Sequence, residues 1–234
     1  MSTPLEERKP DREADTRERL LKAALRVFAD KGIAAATLRE ITEEAGANVA
    51  AVNYYFRSKE ELTASVLATY LNPINQLRLQ SLQRCIDRWG AGRAPIEQVV
   101  EALVRPMVEL SSDEHRGRAP IRLLQQIRAL PSPATNRVLS EQFDEVHSRF
   151  LKAISAALPA LSPLEVALRY DFARGAVMQV LGDLDPVGRS VPGVRPQDGE
   201  IDNEVIVSHL VRFIIAGMSA DHFPEAPRPE TPTA

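Results

Sequence analysis

The apolar positions of this chain recur with a helical period, and nowhere alternate with period two over any length, which predicts an all-α fold. Leu21, Ala24, Leu25 and Phe28 share one face of a first helix expected over 15–31, with Asp15-x-x-Glu18 as a capping-box-like start and Gly32 as its stop. Thr37 then precedes Leu38, Ile41 and Ala45, spaced i, i+3 and i+7, and Glu40 completes a T-x-x-E capping box. Gly46 stands where a helix end takes the left-handed conformation. Asn48 can cap a third, short helix over 49–55 that buries Val52 and Phe56 and leaves Val49, Ala50, Asn53 and Tyr54 for outward contacts. Helix, tight turn with glycine, short helix is the helix-turn-helix pattern, whose second helix enters the DNA major groove. A helical hairpin within a bundle shares this turn chemistry, so the flanks decide.

Ser58-Lys59-Glu60-Glu61 opens a long helix immediately after the motif, running to Trp89. Pro73 falls inside it, and a kink, or a division at Asn72, is expected. Helical runs follow at about 95–111 (with Pro106 inside), 119–130, 134–157, 163–184 and 204–218. The last two are apolar on more than one face, and such helices need partners on every side. A subunit interface is therefore expected there, carried by Phe172, Ala176, Leu210, Phe213 and Ile214, with Gly175 permitting close backbone approach. The competing reading is a central helix of a monomer core. The stretch 185–201 is rich in Pro and Gly and reads as a long loop.

Charge and chemistry narrow the picture only slightly. The net charge is −3, and residues 1–60 carry eleven Lys/Arg against eleven Asp/Glu, so charge neither favours nor excludes a nucleic-acid partner. The single cysteine, Cys85, excludes an intramolecular disulfide, suits a reducing cytoplasm and is expected as a small buried apolar residue. No run is long and apolar enough for a membrane span, and the amino terminus is charged rather than signal-like; a soluble, cytoplasmic protein without a membrane partner is expected. G-x-S-x-G, P-loop and H-E-x-x-H patterns are absent, Gly90-Ala91-Gly92 follows no strand, and His115, His147, His209 and His222 are dispersed. No catalytic residue, metal site or cofactor is expected, and an enzyme is the third-ranked reading. Asp171 and Arg174, at i, i+3, can hold one another or a ligand carboxylate, with Arg169 close by.

Within residues 14–70, the run ATLREITEEAGANVAAVNYYFRSKEEL closely resembles the amino-terminal DNA-binding domain of the TetR family of transcriptional regulators. The resemblance implies a flexible arm over 1–13, a DNA-binding domain over 14–72, a helical ligand-binding and dimerisation domain over 73–222, and a tail over 223–234, whose Pro-rich composition reads as disordered. It implies DNA contacts from Thr37 and Arg39, from Asn48 at the cap, from Val49, Ala50, Ala51 and Asn53, from the aromatic pair Tyr54 and Tyr55, and from Lys59 on phosphate. Many members have polar residues where this chain has Val49-Ala50-Ala51, and Tyr where it has Asn53. Valine and alanine read only thymine methyls and shape, so hydrogen-bonded readout falls to Arg39 and Asn53. The variant is similar to that of the fatty-acid-responsive, PsrA-like subgroup.

The resemblance thus implies a homodimer on a palindromic double-stranded operator, acting as a repressor released by a small hydrophobic ligand such as a fatty acid or acyl-CoA. The middle helices suggest an apolar pocket with Arg122, Gln125, Gln126 or Arg174 fixing one end of that ligand. The alternative is a DNA-binding regulator or activator without a ligand.

Overall fold

The structure is a computed structural model that describes residues 9–90, 92–111, 119–131, 133–182 and 201–221. The described residues form α1 (Lys9–Lys31), α2 (Leu38–Ala45), α3 (Val49–Phe56), α4 (Lys59–Trp89), α5 (Ile96–Ser111), α6 (Ala119–Ala129), α7 (Pro133–Ala157), α8 (Pro163–Gly182) and α9 (Asn203–Met218), with no strand among them.

Two of the sequence expectations need correction. The first helix starts at Lys9 rather than 15, so residues 9–13 belong to α1 and not to an arm. Pro10 is compatible because the first turn has no intrahelical acceptor for an N–H. Asp15 consequently caps nothing and pairs with Arg19 one turn on, 3.6 Å away. Nor does Pro73 divide α4, which runs unbroken for 31 residues. The missing N–H leaves the Thr69 carbonyl without its usual donor, at an exposed residue where the carbonyl is not sealed from solvent.

Helices α1, α2 and α3 pack around Leu21, Ala24, Phe28, Ile41, Val52 and Phe56, all buried, with Leu62 and Val66 of α4 closing the cluster. Each of the large side chains contributes about 1.5–3 kcal/mol by leaving water. Eight residues are too few for α3 to hold alone, so this packing is what makes it a helix. Helix α4 then continues into the second layer, packing on α5 and α7, while α5 packs on α9 and α6 lies against α1. Cys85 is buried in this second layer, and burial pushes its thiol up from the ordinary range, as an inert core residue should behave.

The joints between layers are polar and specific. Asn75 Nδ2 of α4 donates to the Gln142 carbonyl of α7 at 2.8 Å. Arg105 of α5 bridges Glu101 and Glu204, tying α5 to α9. Arg169 donates to the carbonyls of Met218 at 2.7 Å and Ala220 at 2.6 Å, closing the carboxyl end of α9. It is committed there rather than free for a ligand.

Candidate nucleic-acid interface and core cavity

The turn between α2 and α3 is fully specified by its own hydrogen bonds. The Thr37 hydroxyl accepts from Glu40 N–H at 3.2 Å, and the Glu40 carboxylate accepts from Thr37 N–H at 3.0 Å. Lys31 adds a third partner, and these hydrogen bonds hold the Glu40 carboxyl at about 2, led by the one from Lys31. Gly46 is left-handed at φ 59°, ψ 39°, and Ala47 N–H donates to the Thr42 carbonyl at 2.9 Å. Asn48 Oδ1 then accepts from Ala51 N–H at 2.9 Å and starts α3.

This fixes which residues of α3 face outward. Val49, Ala50, Asn53 and Tyr54 are exposed, Tyr54 at 71%. Ala51 and Tyr55 are instead half-buried and packed on the core, because they flank the buried Val52 and Phe56. Tyr55 meets Tyr54 edge-on, with ring centroids 4.9 Å apart, and so braces it. Arg39 stands clear of the surface, 84% exposed, with Nε on Glu43 at 2.8 Å. An exposed pair of this kind contributes little and gives way cheaply to a stronger acceptor. Lys59 Nζ donates to the Ala36 carbonyl and, at 3.4 Å, to that of Ala34, anchoring α4 to the loop before α2. Three donors on an ammonium leave one for a phosphate.

One candidate was not singled out in the sequence. Arg57, exposed just after α3, has φ 59°, and Ser58 N–H donates to the Phe56 carbonyl at 2.6 Å. A tight turn at positive φ costs a non-glycine residue roughly 1–3 kcal/mol. The Ser58 hydroxyl, accepting from Glu61 N–H at 3.1 Å, helps offset it. The turn swings the chain from α3 into α4 and leaves a cation at the end of the outward face. Its sequence signal was an arginine between an aromatic pair and a capping box.

A capped helix pair with its second helix presented outward is what DNA reading requires, and the comparisons agree. The model for bacterial regulatory proteins of the tetR family matches residues 20–66, and that for the tetracyclin repressor-like C-terminal domain matches 101–217, half the chain. This chain belongs to the TetR family.

It is similar to the HTH-type transcriptional dual regulator CecR of Shigella flexneri, 27% identical over 143 residues, 60% of this chain and 63% of that one. It is also 35% identical over 100 residues to the HTH-type nicotine-responsive transcriptional repressor HdnoR of Paenarthrobacter nicotinovorans, 43% of this chain and 48% of that one. The matches thus span less than two thirds of these curated relatives. Among solved structures, the fatty acid degradation regulator FadR from Bacillus halodurans superposes with a TM-score of 0.62 at 15% identity, over 86% of this chain and 98% of that one. The ketosteroid transcriptional regulator KstR2 of Mycobacterium tuberculosis gives 0.60 at 18%, over 86% and 93%. At such identities the shared property is the fold. Family and relatives are regulators rather than enzymes, and none of the helices described here is long and apolar enough to cross a membrane.

In this TetR-family chain the carboxy-terminal helices enclose a small cavity of about 20 Å³, bounded by α4, α5, α6, α7 and α8. Leu71, Ile74, Met107, Leu124, Phe143, Val177 and Met178 supply its apolar wall, and Asn75, Arg78, Arg128, His147 and Arg174 its polar one. Of the four residues expected to hold a ligand, Arg174 alone lines it. Gln125 donates to the Met178 carbonyl at 2.9 Å and joins α6 to α8. Gln126 donates to the Ala29 carbonyl at 2.7 Å, and Arg122 lies 3.9 Å from Asp30, so both face the end of α1 instead. A wider, more open cleft of about 310 Å³ lies between the α1–α2 loop, the start of α4 and the start of α7, outside the core.

Arg78 and Asn75 had a sequence signal that passed unread. They continue the phase of Leu71, Ile74 and Leu82, so they are polar residues at core positions of α4.

The interface expected for the last two helices is split by the structure. Leu210 and Ile214 are buried in the chain's own core, and Ala176 is half-buried. Phe172 and Phe213, each 69% exposed, face outward, with Leu164, Leu168 and Val205 exposed beside them.

Proposed function

We propose that the protein is a homodimeric repressor that docks α3 into the major groove of a palindromic operator and is released by a small hydrophobic ligand. The outward face of α3, with Val49, Ala50, Asn53 and Tyr54 set by the Asn48 cap and the Gly46 turn, is the observation that carries this reading. Asn53 and Arg39 read base edges; Val49 and Ala50 meet thymine methyls; Thr37, Tyr54, Arg57 and the spare donor of Lys59 position the backbone. Dimerisation uses the exposed apolar stripe of Leu164, Leu168 and Phe172 on α8 with Val205 and Phe213 on α9, a patch that water would otherwise cover. Gly175 and Gly217 have open space above them, which suits close backbone approach of a second copy.

The ligand enters the core at the cavity, whose walls connect to the DNA-binding unit along two helices. Helix α4 runs from the Lys59 anchor to Arg78, and α6 carries Leu124 and Arg128 on the cavity and Gln126 on the end of α1. A shift of either helix re-aims α3, and two half-sites one helical turn apart, about 34–36 Å, do not tolerate a few ångströms of mismatch. Fatty acids or acyl-CoA are the proposed ligand class, consistent with the apolar wall and with a structural likeness to a fatty acid degradation regulator. Titrating acyl compounds of increasing chain length against a preformed protein–operator complex tests the switch. Release that strengthens with length, with equal and opposite weakening of ligand binding by operator, is the expected result; no release by any of them removes the ligand from the reading.

A further inference from the structure

The polar wall of the cavity is cationic, and only one of its three arginines has an ionic partner among the described residues. Arg78 is 7% exposed, and its Nε donates to the Leu103 carbonyl at 3.0 Å, while its two Nη groups make no hydrogen bond or ion pair among the described residues. The Leu103 bond occupies Nε and nothing else in the cluster. Arg128 is exposed yet lines the same cavity, and it has no carboxylate at ion-pair distance among the described residues. Arg174 has one, Asp171 at 2.7 Å, on the solvent side.

Three guanidiniums around a space of about 20 Å³ repel one another, and for Arg78, the buried one of the three, the lack of an ionic partner is unfavourable. Their mutual effect shows in the neighbours. Desolvation first and the three arginines next push the His147 imidazole down to about 4, so it is neutral, and only Asp144 opposes this. Burial lowers Arg78 to about 10. Beside the cluster the Tyr170 hydroxyl is buried with no hydrogen-bond partner among the described residues, its ring 5.8 Å from that of His147 and 5.5 Å beneath Arg174. A buried arginine without an ionic partner, two further guanidiniums beside it and an idle phenol donor are all served by one group, an anion.

We propose that this cavity is the head-group site for a carboxylate, held by Arg78, Arg128 and Arg174, with the ligand's apolar body lying toward Met107 and Met178. A guanidinium fork matches a planar carboxylate bidentately. The space seen here admits about one water, so the head replaces that volume and the body displaces the two methionines, the most adaptable of core side chains. The inference rests on the ligand-responsive reading above and sharpens it, since a free acid carries its charge on a head small enough for this space and a coenzyme A thioester does not.

The test uses the full-length protein without DNA, titrated calorimetrically with dodecanoate, methyl dodecanoate, dodecan-1-ol and dodecanoyl-CoA, each below its aggregation concentration. Dodecanoate is expected to bind on the order of 100-fold tighter than the ester or alcohol, whose neutral heads leave the arginines unpaired. It should also bind tighter than the thioester, whose anionic coenzyme A moiety is far too large for a space of about 20 Å³. Arg128→Gln and Arg174→Gln should each cost roughly 10-fold for dodecanoate and leave the ester unchanged, with Arg174→Lys recovering part of the loss. Arg78 is left intact because it also serves Leu103. In the same complex, the NMR titration midpoint of His147 should rise when the carboxylate fills the site, an effect that merely structural arginines would not produce. Equal affinity for acid and ester, unchanged dodecanoate affinity in both glutamine variants, or no binding at all would overturn the proposal. Dodecanoate binding without operator release would instead defeat the switch and leave the anion site standing.

Discussion

At the scale of single residues, specificity rests on very few polar groups. Arg39→Ala should relax operator preference and cost about 1–3 kcal/mol of binding, measured against operator and scrambled duplexes by fluorescence anisotropy; unchanged discrimination would remove Arg39 from base reading. Lys59 serves two roles, so its replacement has a second effect. Lys59→Met should weaken all duplexes alike and flatten the salt dependence. It should also destabilise the unfolding transition by about 1.5–3 kcal/mol, because the carbonyls of Ala34 and Ala36 lose a charged donor. Weaker DNA binding with unaltered urea unfolding would show the anchor to be unimportant. The residue-level signals that were legible in sequence were the caps, since Thr37, Gly46, Asn48 and Ser58 act through neighbours two to four positions away. Ala51 was not legible as half-buried, because its sequence neighbours Ala50 and Val52, one exposed and one buried, are equally apolar. That Arg122 and Gln126 meet the end of α1 rather than the cavity was not legible for a related reason: which neighbour a polar side chain on α6 meets is set by how α1 docks, and that is a long-range fact.

At the scale of elements, α2 is held by one carboxylate with several partners. Glu40 has its folded value lowered to about 2 from an ordinary 4.5, so its contribution is fully present above 4.5 and is lost as the pH falls toward 2. Glu40→Gln should therefore lower the melting temperature at pH 7, with the gap to the parent closing as pH drops through that window. A gap that persists at pH 2 would mean the side chain acts by packing rather than charge. Helix α6 offers a separate test of coupling. Gln126→Leu removes the donor to the Ala29 carbonyl without touching the cavity lining, and it should leave ligand affinity in place while reducing ligand-driven release of operator. Full release in this variant would route the signal through α4 alone. Element boundaries were read closely from periodicity, apart from the start of α1. Of the two outcomes expected at Pro73, a kink or a division, the division does not occur, because a helix tolerates a proline's lost hydrogen bond on an exposed face, as it does in a first turn.

At the scale of the whole molecule, the exposed and buried members of α9 make opposite predictions. Phe213→Arg places a charge on the outer stripe and should give folded monomers in sedimentation velocity, whereas Ile214→Arg buries a charge in the protomer core and should give insoluble or unfolded protein. An unchanged dimer with Phe213→Arg would move the interface off this face. The most direct measurement of the central claim is selection of binding sites from random duplex DNA by the parent protein and by Asn53→Ala. A homodimer reading DNA with α3 should enrich a palindrome whose half-sites lie one helical turn, or a multiple, apart, and Asn53→Ala should lose preference at matching positions in both halves. Enrichment of a non-palindromic sequence, no enrichment, or an identical motif from the variant would contradict it.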